Sequence, residues 1–139
     1  MASSAVLYTP QVLALATGLA AFPLHEELPL RAGARSQACG STLEIGLRLD
    51  RTDRIEALGL RAHACAIGQA AATIFAQSAI GCSRVEIASG LASIAAWLDG
   101  QGQLPDWPGF APIAAARDYP ARHGAVLLAW RGALDALPS

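Results

Sequence analysis

The feature that most constrains the fold of this chain is a pair of alternating segments near its middle. In residues 42–49 (TLEIGLRL), every second residue from Leu43 onward is Leu or Ile, and the residues between them are mostly polar or small. This period of two is typical of a strand with one buried face. A second alternating run covers residues 55–62, and the polar segment 50–54 lies between the two runs. The pattern predicts an antiparallel hairpin.

The segments on both sides of this hairpin carry helical signals. Thr9-Pro10 is typical of an N-cap followed by a proline in the first helical turn, and the apolar stripe after it ends near residue 22. Residues 24–38 allow a short edge strand at most, because prolines and a glycine interrupt them. After Cys65 the apolar spacing predicts helices over residues 66–79, 84–98 (opened by a capping box at Ser83 and Glu86), about 110–117, and 120–136.

These elements predict an α+β fold, in which a small antiparallel sheet of about three strands carries helices on one side. The length of 139 residues and the hydrophobic content of 53% suit a single domain over residues 1–139 with one core. The apolar run Val12–Phe22 is shorter than the roughly 20 residues that span a bilayer. It also follows no basic segment, since the first cation is Arg31. We therefore expect neither a membrane anchor nor a signal peptide.

Charge and cysteine content exclude several classes of function. All ten cationic side chains are Arg and the formal net charge is −1, which makes nucleic acid an improbable partner and excludes a Schiff-base lysine. Three cysteines are too few and odd in number for a disulfide framework, so a cytoplasmic location is expected. The sequence has no Gly-rich phosphate loop, no HExxH motif and no Ser/His/Asp arrangement with recognisable sequence context, so we expect a protein that is not an enzyme.

Two of the three cysteines are candidates for a shared site. Cys39 precedes the first strand of the hairpin and Cys65 follows the second. Because both are equidistant, within one residue, from a turn centred near residue 52, both thiols are expected at the same end of the sheet. Cys65 also begins a helix, whose positive dipole end favours a thiolate. Such a pair can act as soft metal ligands, as a redox couple or as two buried small side chains, and spacing alone does not decide between them.

Four segments in register resemble one family. Ala-Cys-Gly-Ser at 38–41 is similar to the Ala-Cys-Gly-Asp segment of the IscU/SufU/NifU-type iron–sulfur cluster scaffolds. Residues 60–73 resemble their second-cysteine segment. Tyr-Pro-Ala-Arg at 119–122, with Trp130 eight residues after the Arg, resembles the Phe-Pro-Ala-Arg…Cys-Ala-Thr-Leu-Ser-Trp segment of the SufU branch, and the opening Leu7-Tyr8 with its helix also fits that branch. The resemblance covers about residues 7–137 and implies a SufE/IscU-like fold.

The chain departs from this family at half of the implied ligand set. The family binds zinc or the nascent cluster through three Cys and one Asp, of which Cys39 and Cys65 are retained. Ser41 stands at the Asp position, and Ala125 stands at the third Cys position. IscU-branch scaffolds carry a His just before that third Cys, where this chain has Gly124.

Other residues are candidates to replace the missing ligands. Imidazole can replace thiolate at zinc and at one iron of some two-iron clusters. His63 shares a face with Cys65 if the strand continues through both, so His63 is a candidate metal ligand beside Cys39 and Cys65. His123 lies one residue from the family's His position, and His25 lies in a polar loop. Cys82 matches no family ligand, and Trp97, Trp107 and Trp130 are predicted packing anchors.

The resemblance implies a cytoplasmic bacterial scaffold or sulfur acceptor in iron–sulfur cluster assembly. It implies a cysteine desulfurase and recipient apo-proteins as partners, and a cluster or zinc bound through Cys39 and Cys65. A two-iron cluster shared across a homodimer restores four thiolates. The alternative is a descendant that binds no metal and acts as a binding or regulatory module for a desulfurase. A thiol redox protein is the third class.

Overall fold

The strands form one antiparallel sheet, as the alternating segments predict. The computed structural model describes residues 7–139, and its sheet contains β1 (Leu30–Arg35), β2 (Thr42–Leu49) and β3 (Ile55–His63) in the order β1-β2-β3. The predicted hairpin is β2–β3, with Thr42 opposite His63 at its open end. β1 is the edge strand that the sequence allowed. It is six residues long and pairs with β2 from Thr42 to Leu47.

Among the α-helices of residues 7–139, two begin at predicted capping signals and two have no side-chain cap. These helices are α1 (Pro10–Gly18), α2 (Ala66–Ala79), α3 (Arg84–Leu98) and α4 (His123–Ala136). Thr9 Oγ1 accepts a hydrogen bond from the Val12 amide at 3.1 Å. The capping box of Ser83 and Glu86 is present in full at the start of α3. α1 is nine residues long, and no helix between Leu7 and Ser139 is both long and apolar enough to cross a membrane.

The segment before α4 differs from the prediction of two α-helices. Residues Ala111–Asp118 form a 3₁₀-helix with a break at Ile113, and Pro120–Arg122 form a separate 3₁₀ turn. Tyr119 has φ −124° and ψ 79°, which is outside the helical region. A residue before proline is sterically disfavoured in the α conformation, so Pro120 ends one helical segment and opens the next.

Within residues 7–139, α2 and α4 pack on one face of the sheet, which we call the inner face, and α1 and α3 pack against these two helices. α4 approaches this face closely because Gly132 has no side chain, and a Cβ there would lie 3.2 Å from Ile45 Cγ2 and 3.8 Å from Ala34 Cβ. Aromatic rings fill the space behind α4. Phe75 contacts Trp107 and Trp130 with ring centroids 5.7 and 5.3 Å apart. Trp97 packs on Phe110 at 5.4 Å, so all three tryptophans act as packing anchors, as predicted.

The opposite, outer face is covered only in part. Residues 23–28 cross it over two paired glycines, Gly46 and Gly59. A Cβ on Gly46 would lie 2.9 Å from Leu28 Cβ, and a Cβ on Gly59 would overlap the carbonyl oxygen of Pro23. The two glycines therefore let this segment lie flat on the sheet, while the rows nearer the end of β3 remain open.

Gly59→Ala tests this close approach. We expect the variant to lose about 2 kcal/mol of unfolding free energy, since the added methyl group must displace backbone. Chemical denaturation of both proteins measures the loss. Gly33→Ala is the matched control, because a Cβ there would make only an ordinary 3.7 Å contact with the Leu43 carbonyl oxygen. Equal stability of the two variants would contradict the packing described for residues 23–28.

Candidate functional site

Cys39 lies in the tight connection between β1 and β2. Two backbone hydrogen bonds close this loop: the Ser36 amide donates to the Ser41 carbonyl at 2.8 Å, and the Gly40 amide donates to the Ser36 carbonyl at 2.9 Å. Gly40 has φ +71°, a left-handed conformation that glycine adopts without steric cost. The loop thereby turns the side chain of Cys39 back toward the two serines.

The thiol of Cys39 contacts two buried hydroxyls. It donates to Ser36 Oγ at 3.5 Å, and its sulfur lies 3.1 Å from Ser41 Oγ. Both serines are almost fully buried, with exposed fractions of 2% and 4%, so their hydroxyls are held in place. Hydroxyl hydrogens rotate, and both groups can therefore donate to the sulfur once it is ionised.

The surroundings of Cys39 favour its thiolate. Hydrogen bonds from the Ser36 hydroxyl, and then from the Ser41 hydroxyl, lower the pKa of the Cys39 thiol, while partial burial opposes them. The Ser41 backbone and the positive charge of Arg122 lower this pKa further. A lowered pKa increases the fraction of thiolate at neutral pH, and thiolate is the form that attacks sulfur and binds metal.

Cys65 lies at the same end of the sheet. It follows β3 after one residue and is the N-cap residue of α2, where its side chain caps none of the amides of the first helical turn. Because Thr42 pairs with His63, the start of β2 and the end of β3 are neighbours. The segments that carry Cys39 and Cys65 therefore lie at the same end of the sheet, as expected.

The first turn of α4 lies between these two cysteine-bearing segments. On one side, a Cβ on Gly124 would overlap Ser36 Oγ and lie 3.1 Å from Ser36 Cβ. On the other side, the Cβ of Ala125 is 3.2 Å from the place that a Cβ on Gly68 would take, in the first turn of α2. Gly124 and Ala125 therefore join the loop of Cys39 to the helix that Cys65 begins.

No protein-family model and no curated protein matches the chain. Its structure is similar to a nitrogen-fixing NifU-like protein (N-terminal) from Brucella abortus, with a TM-score of 0.86, 24% identity, and 96% and 93% of the two chains covered. A putative iron–sulfur cluster assembly scaffold protein for the SUF system from Fervidobacterium islandicum AW-1 gives a TM-score of 0.85 at 20% identity, covering 98% of this chain and 100% of that one.

The chain has the NifU/SufU scaffold fold. A third structure, described as a hypothetical protein, is similar with a TM-score of 0.71 and 21% identity, covering 90% of this chain and 95% of that one. At these identities the likeness concerns the fold. It confirms the predicted α+β scaffold architecture, in which a three-stranded antiparallel sheet carries helices on one side.

On this scaffold fold, the candidate ligands do not form a ready metal centre. Within residues 7–139, no three His, Cys, Asp or Glu side chains are grouped so that they could hold a metal ion. The same-face argument for His63 required the strand to continue through Cys65, but β3 ends at His63, whose side chain is exposed. His63 as a ligand stays a prediction. His123 Nε2 lies 2.9 Å from the Arg117 carbonyl oxygen, which occupies one of its ring nitrogens.

Cys82 and His25 lie away from this end of the sheet. Cys82 lies between α2 and α3, and its carbonyl accepts a hydrogen bond from Ile55 at the start of β3. The length of β3 therefore separates Cys82 from Cys65. Burial and the neighbouring charge of Glu86 raise the pKa of the Cys82 thiol. His25 is exposed in the segment that crosses the outer face.

The sequence did not point to Ser36, whose hydrogen bond does most to lower the pKa of the Cys39 thiol. Packing against Gly124 holds the Ser36 hydroxyl beside Cys39, and Ser36 and Gly124 are 88 positions apart in the chain. The one local signal was a serine placed three residues before a candidate cysteine.

The two pKa directions predict different reactivities for Cys39 and Cys82. Iodoacetamide at pH 7 should alkylate Cys39 faster than Cys82, because the lowered pKa gives Cys39 more thiolate and the raised pKa gives Cys82 less. The midpoint of the rate against pH should likewise lie lower for Cys39. Peptide mass spectrometry over a pH series measures both rates. Ser36→Ala should move the midpoint of Cys39 upward and leave that of Cys82 unchanged; an unmoved midpoint would contradict the assigned hydrogen bond.

Proposed function

We propose that this chain is an iron–sulfur cluster assembly scaffold or sulfur acceptor that acts through Cys39 and Cys65. The observation that carries the proposal is the thiolate-favouring environment of Cys39 at the sheet end shared with Cys65. The scaffold fold supports it, since the similar proteins from Brucella abortus and Fervidobacterium islandicum are described as NifU-like and as a cluster assembly scaffold.

Sulfur acceptance needs one nucleophile and one leaving group. The Cys39 thiolate attacks the outer sulfur of a cysteine persulfide on a donor such as a cysteine desulfurase. A new S–S bond forms at Cys39 as the S–S bond of the donor breaks, and the donor cysteine leaves as a thiolate. The step requires no external oxidant. The hydroxyls of Ser36 and Ser41 donate to the negative sulfur before the attack and hold its side chain in position.

Cluster assembly needs more ligands than one chain offers. A two-iron cluster takes four protein ligands, and Cys39 and Cys65 supply two. Two copies of the chain supply four thiolates, so the proposed cargo is a cluster shared across a homodimer and passed on to recipient apo-proteins.

Resident zinc is the weaker option for this ligand set. A complete structural zinc site contributes about 10–16 kcal/mol, so two ligands of four leave about 7 kcal/mol. That value corresponds to a Kd of about 10 μM, which is too weak to retain zinc inside a cell.

The alternative function is a binding or regulatory module that docks a cysteine desulfurase without holding metal. It is favoured by the fact that residues 7–139 contain no group of three metal-ligating side chains. The iron, zinc and sulfide content of protein purified without oxygen separates the two functions, because only the scaffold retains cargo. A thiol count before and after mild oxidation tests the third class, a reversible Cys39–Cys65 disulfide.

Cluster reconstitution tests the main proposal. With iron, sulfide and reductant, we expect visible absorbance together with a shift from monomer to dimer on gel filtration. Cys39→Ser and Cys65→Ser should each abolish both changes, because a shared cluster needs both thiolates of each copy. Cys82→Ser is the matched control and should leave both changes intact. Colour in a strictly monomeric fraction would contradict the shared cluster.

Restoring the family's ligand set tests whether positions 41 and 125 face Cys39 and Cys65. Ser41 lies 3.1 Å from the Cys39 sulfur and Ala125 packs beside the first turn of α2, so Ser41→Asp with Ala125→Cys should rebuild a Cys₃Asp zinc site. Two ligands at about 3 kcal/mol each should tighten zinc binding by roughly four orders of magnitude. Competition with a chelator measures the change, and zinc should also raise Tm.

Ala125→Cys alone should give an intermediate affinity in the same titration. A double variant that binds zinc no more tightly than the parent would mean that position 125 does not face the two cysteines.

A further inference from the structure

The two buried hydroxyls at Cys39 have hydrogen-bonding capacity that the protein does not use. Within residues 7–139, Ser36 Oγ and Ser41 Oγ each contact the Cys39 sulfur and make no other hydrogen bond. A hydroxyl has one donor and two acceptor sites, so each serine retains unused sites beside the sulfur. Both serines are almost fully buried, and buried polar groups are normally satisfied. A small polar molecule that reaches the sulfur can therefore bond to both hydroxyls.

Arg122 brings a positive charge to the same thiol. It is the residue from which α4 begins, two positions before Gly124, and Gly124 packs against the Ser36 side chain. Its charge is close enough to Cys39 to lower the pKa of the thiol. The ion pairs and side-chain hydrogen bonds of residues 7–139 leave its guanidinium without a partner. This cation can stabilise negative charge that develops on a molecule reacting at the sulfur.

The same thiol is accessible to a small reagent. Cys39 is partly exposed, so a molecule approaching from solvent meets the sulfur and, behind it, the two hydroxyls. Thiolate character and access to solvent determine which cysteines are oxidised by peroxides. Hydrogen peroxide also matches the surrounding groups. Its two O–H groups can donate to the serine oxygens, and its departing oxygen gains the negative charge that hydroxyl donors and a guanidinium stabilise.

We propose that hydrogen peroxide binds between the Cys39 thiol, the two serine hydroxyls and Arg122, and oxidises Cys39 to a sulfenic acid. This inference goes beyond the proposed function, because the reaction needs neither a sulfur donor nor a metal. The thiolate attacks one oxygen of the peroxide, and the S–O bond forms as the O–O bond breaks. Two electrons pass from sulfur to the peroxide. The other oxygen leaves as hydroxide and takes a proton from solvent, so the products are water and the sulfenic acid.

In a sulfur acceptor this oxidation is a reversible block. The sulfur of a sulfenic acid is electrophilic, so it does not attack a persulfide. Small thiols restore Cys39 in two steps. The first thiol displaces water and forms a mixed disulfide, and the second attacks that disulfide, releases the Cys39 thiolate and leaves as a disulfide with the first. Sulfur acceptance at Cys39 therefore stops under peroxide and resumes when thiols are supplied.

The test follows Cys39 and Cys82 in one protein, the full chain with Cys65→Ser, which removes a thiol that would trap the sulfenic acid. Hydrogen peroxide is added at pH 7 together with dimedone, which captures sulfenic acids, and peptide mass spectrometry gives the rate at each cysteine. A parallel series with iodoacetamide measures alkylation, in which no oxygen leaves. Both reactions need the thiolate, so the ratio of the peroxide rate to the alkylation rate isolates the stabilisation of the peroxide.

Cys39 should form the dimedone adduct about tenfold faster than Cys82, because it has more thiolate and the groups that bind peroxide. Ser41→Ala and Arg122→Gln should each lower the peroxide-to-alkylation ratio of Cys39 about tenfold, since each removes one group that stabilises the departing oxygen. Arg51→Gln is the matched control: it removes the charge of an exposed arginine at the opposite end of the hairpin, and the ratio should not change. An unchanged alkylation rate at Cys82 in each variant reports an intact fold.

Three results would overturn the inference. Cys82 oxidised as fast as Cys39 would show that the site does not favour peroxide. A Cys39 ratio that Ser41→Ala or Arg122→Gln leaves unchanged would show that peroxide meets an ordinary thiolate there. An equal fall in Arg51→Gln would remove the role of the local cation. None of these results contradicts the proposed function, which depends on the nucleophilic thiol that iodoacetamide alone reports.

Discussion

The close packing of α4 on the inner face is the interaction on which the rest of the structure depends. Gly132 lets the helix approach Leu43 and Ile45 of β2, and Gly124 brings its first turn onto Ser36. Ala125 then meets the first turn of α2. Because the residues of α4 at these three contacts are small, β2, the loop of Cys39 and α2 can all pack against this one helix. A larger side chain at any of them would move the helix, and with it the loop of Cys39 relative to Cys65.

The elements that were predicted well are those with strong local signals. The bounds of β2, α2 and α3 agree with the alternating run and with the helical spacing, because each element has an uninterrupted pattern and a clear boundary. β1 was expected as a short edge strand at most. Its inward residues Ala32 and Ala34 are too small to give an alternating apolar signal, because α4 packs against them. The strand is defined by its backbone pairing with β2, which no single-segment pattern reveals.

The candidate site was predicted in outline and missed in detail for a related reason. The equal distance of Cys39 and Cys65 from the hairpin turn follows from counting residues, and the register of β2 and β3 bears it out. The hydrogen bond between Cys39 and Ser36 depends on how the loop folds against α4, and this contact is not encoded in any local run of residues. The same-face argument for His63 required a strand through Cys65. β3 ends at His63, two residues before Cys65, the N-cap residue of α2.

If Ser41 and Ala125 stand where the scaffold family has its Asp and third Cys, as the resemblance implies, electrostatics connects the two positions. A carboxylate at position 41 would place a negative charge about as far from the Cys39 sulfur as the Ser41 hydroxyl, which is 3.1 Å away. Two like charges 4 Å apart repel by about 4 kcal/mol at an effective dielectric constant of 20, so an Asp there favours a thiolate only when a metal cation lies between them. Without a third thiol at position 125 to help hold a cation, a carboxylate at position 41 would suppress the Cys39 thiolate. A hydroxyl has the opposite effect, since it donates to the thiolate without adding charge. With Ala at position 125, a Ser at position 41 therefore acts together with Ser36 to favour the Cys39 thiolate, whereas an Asp there would oppose it.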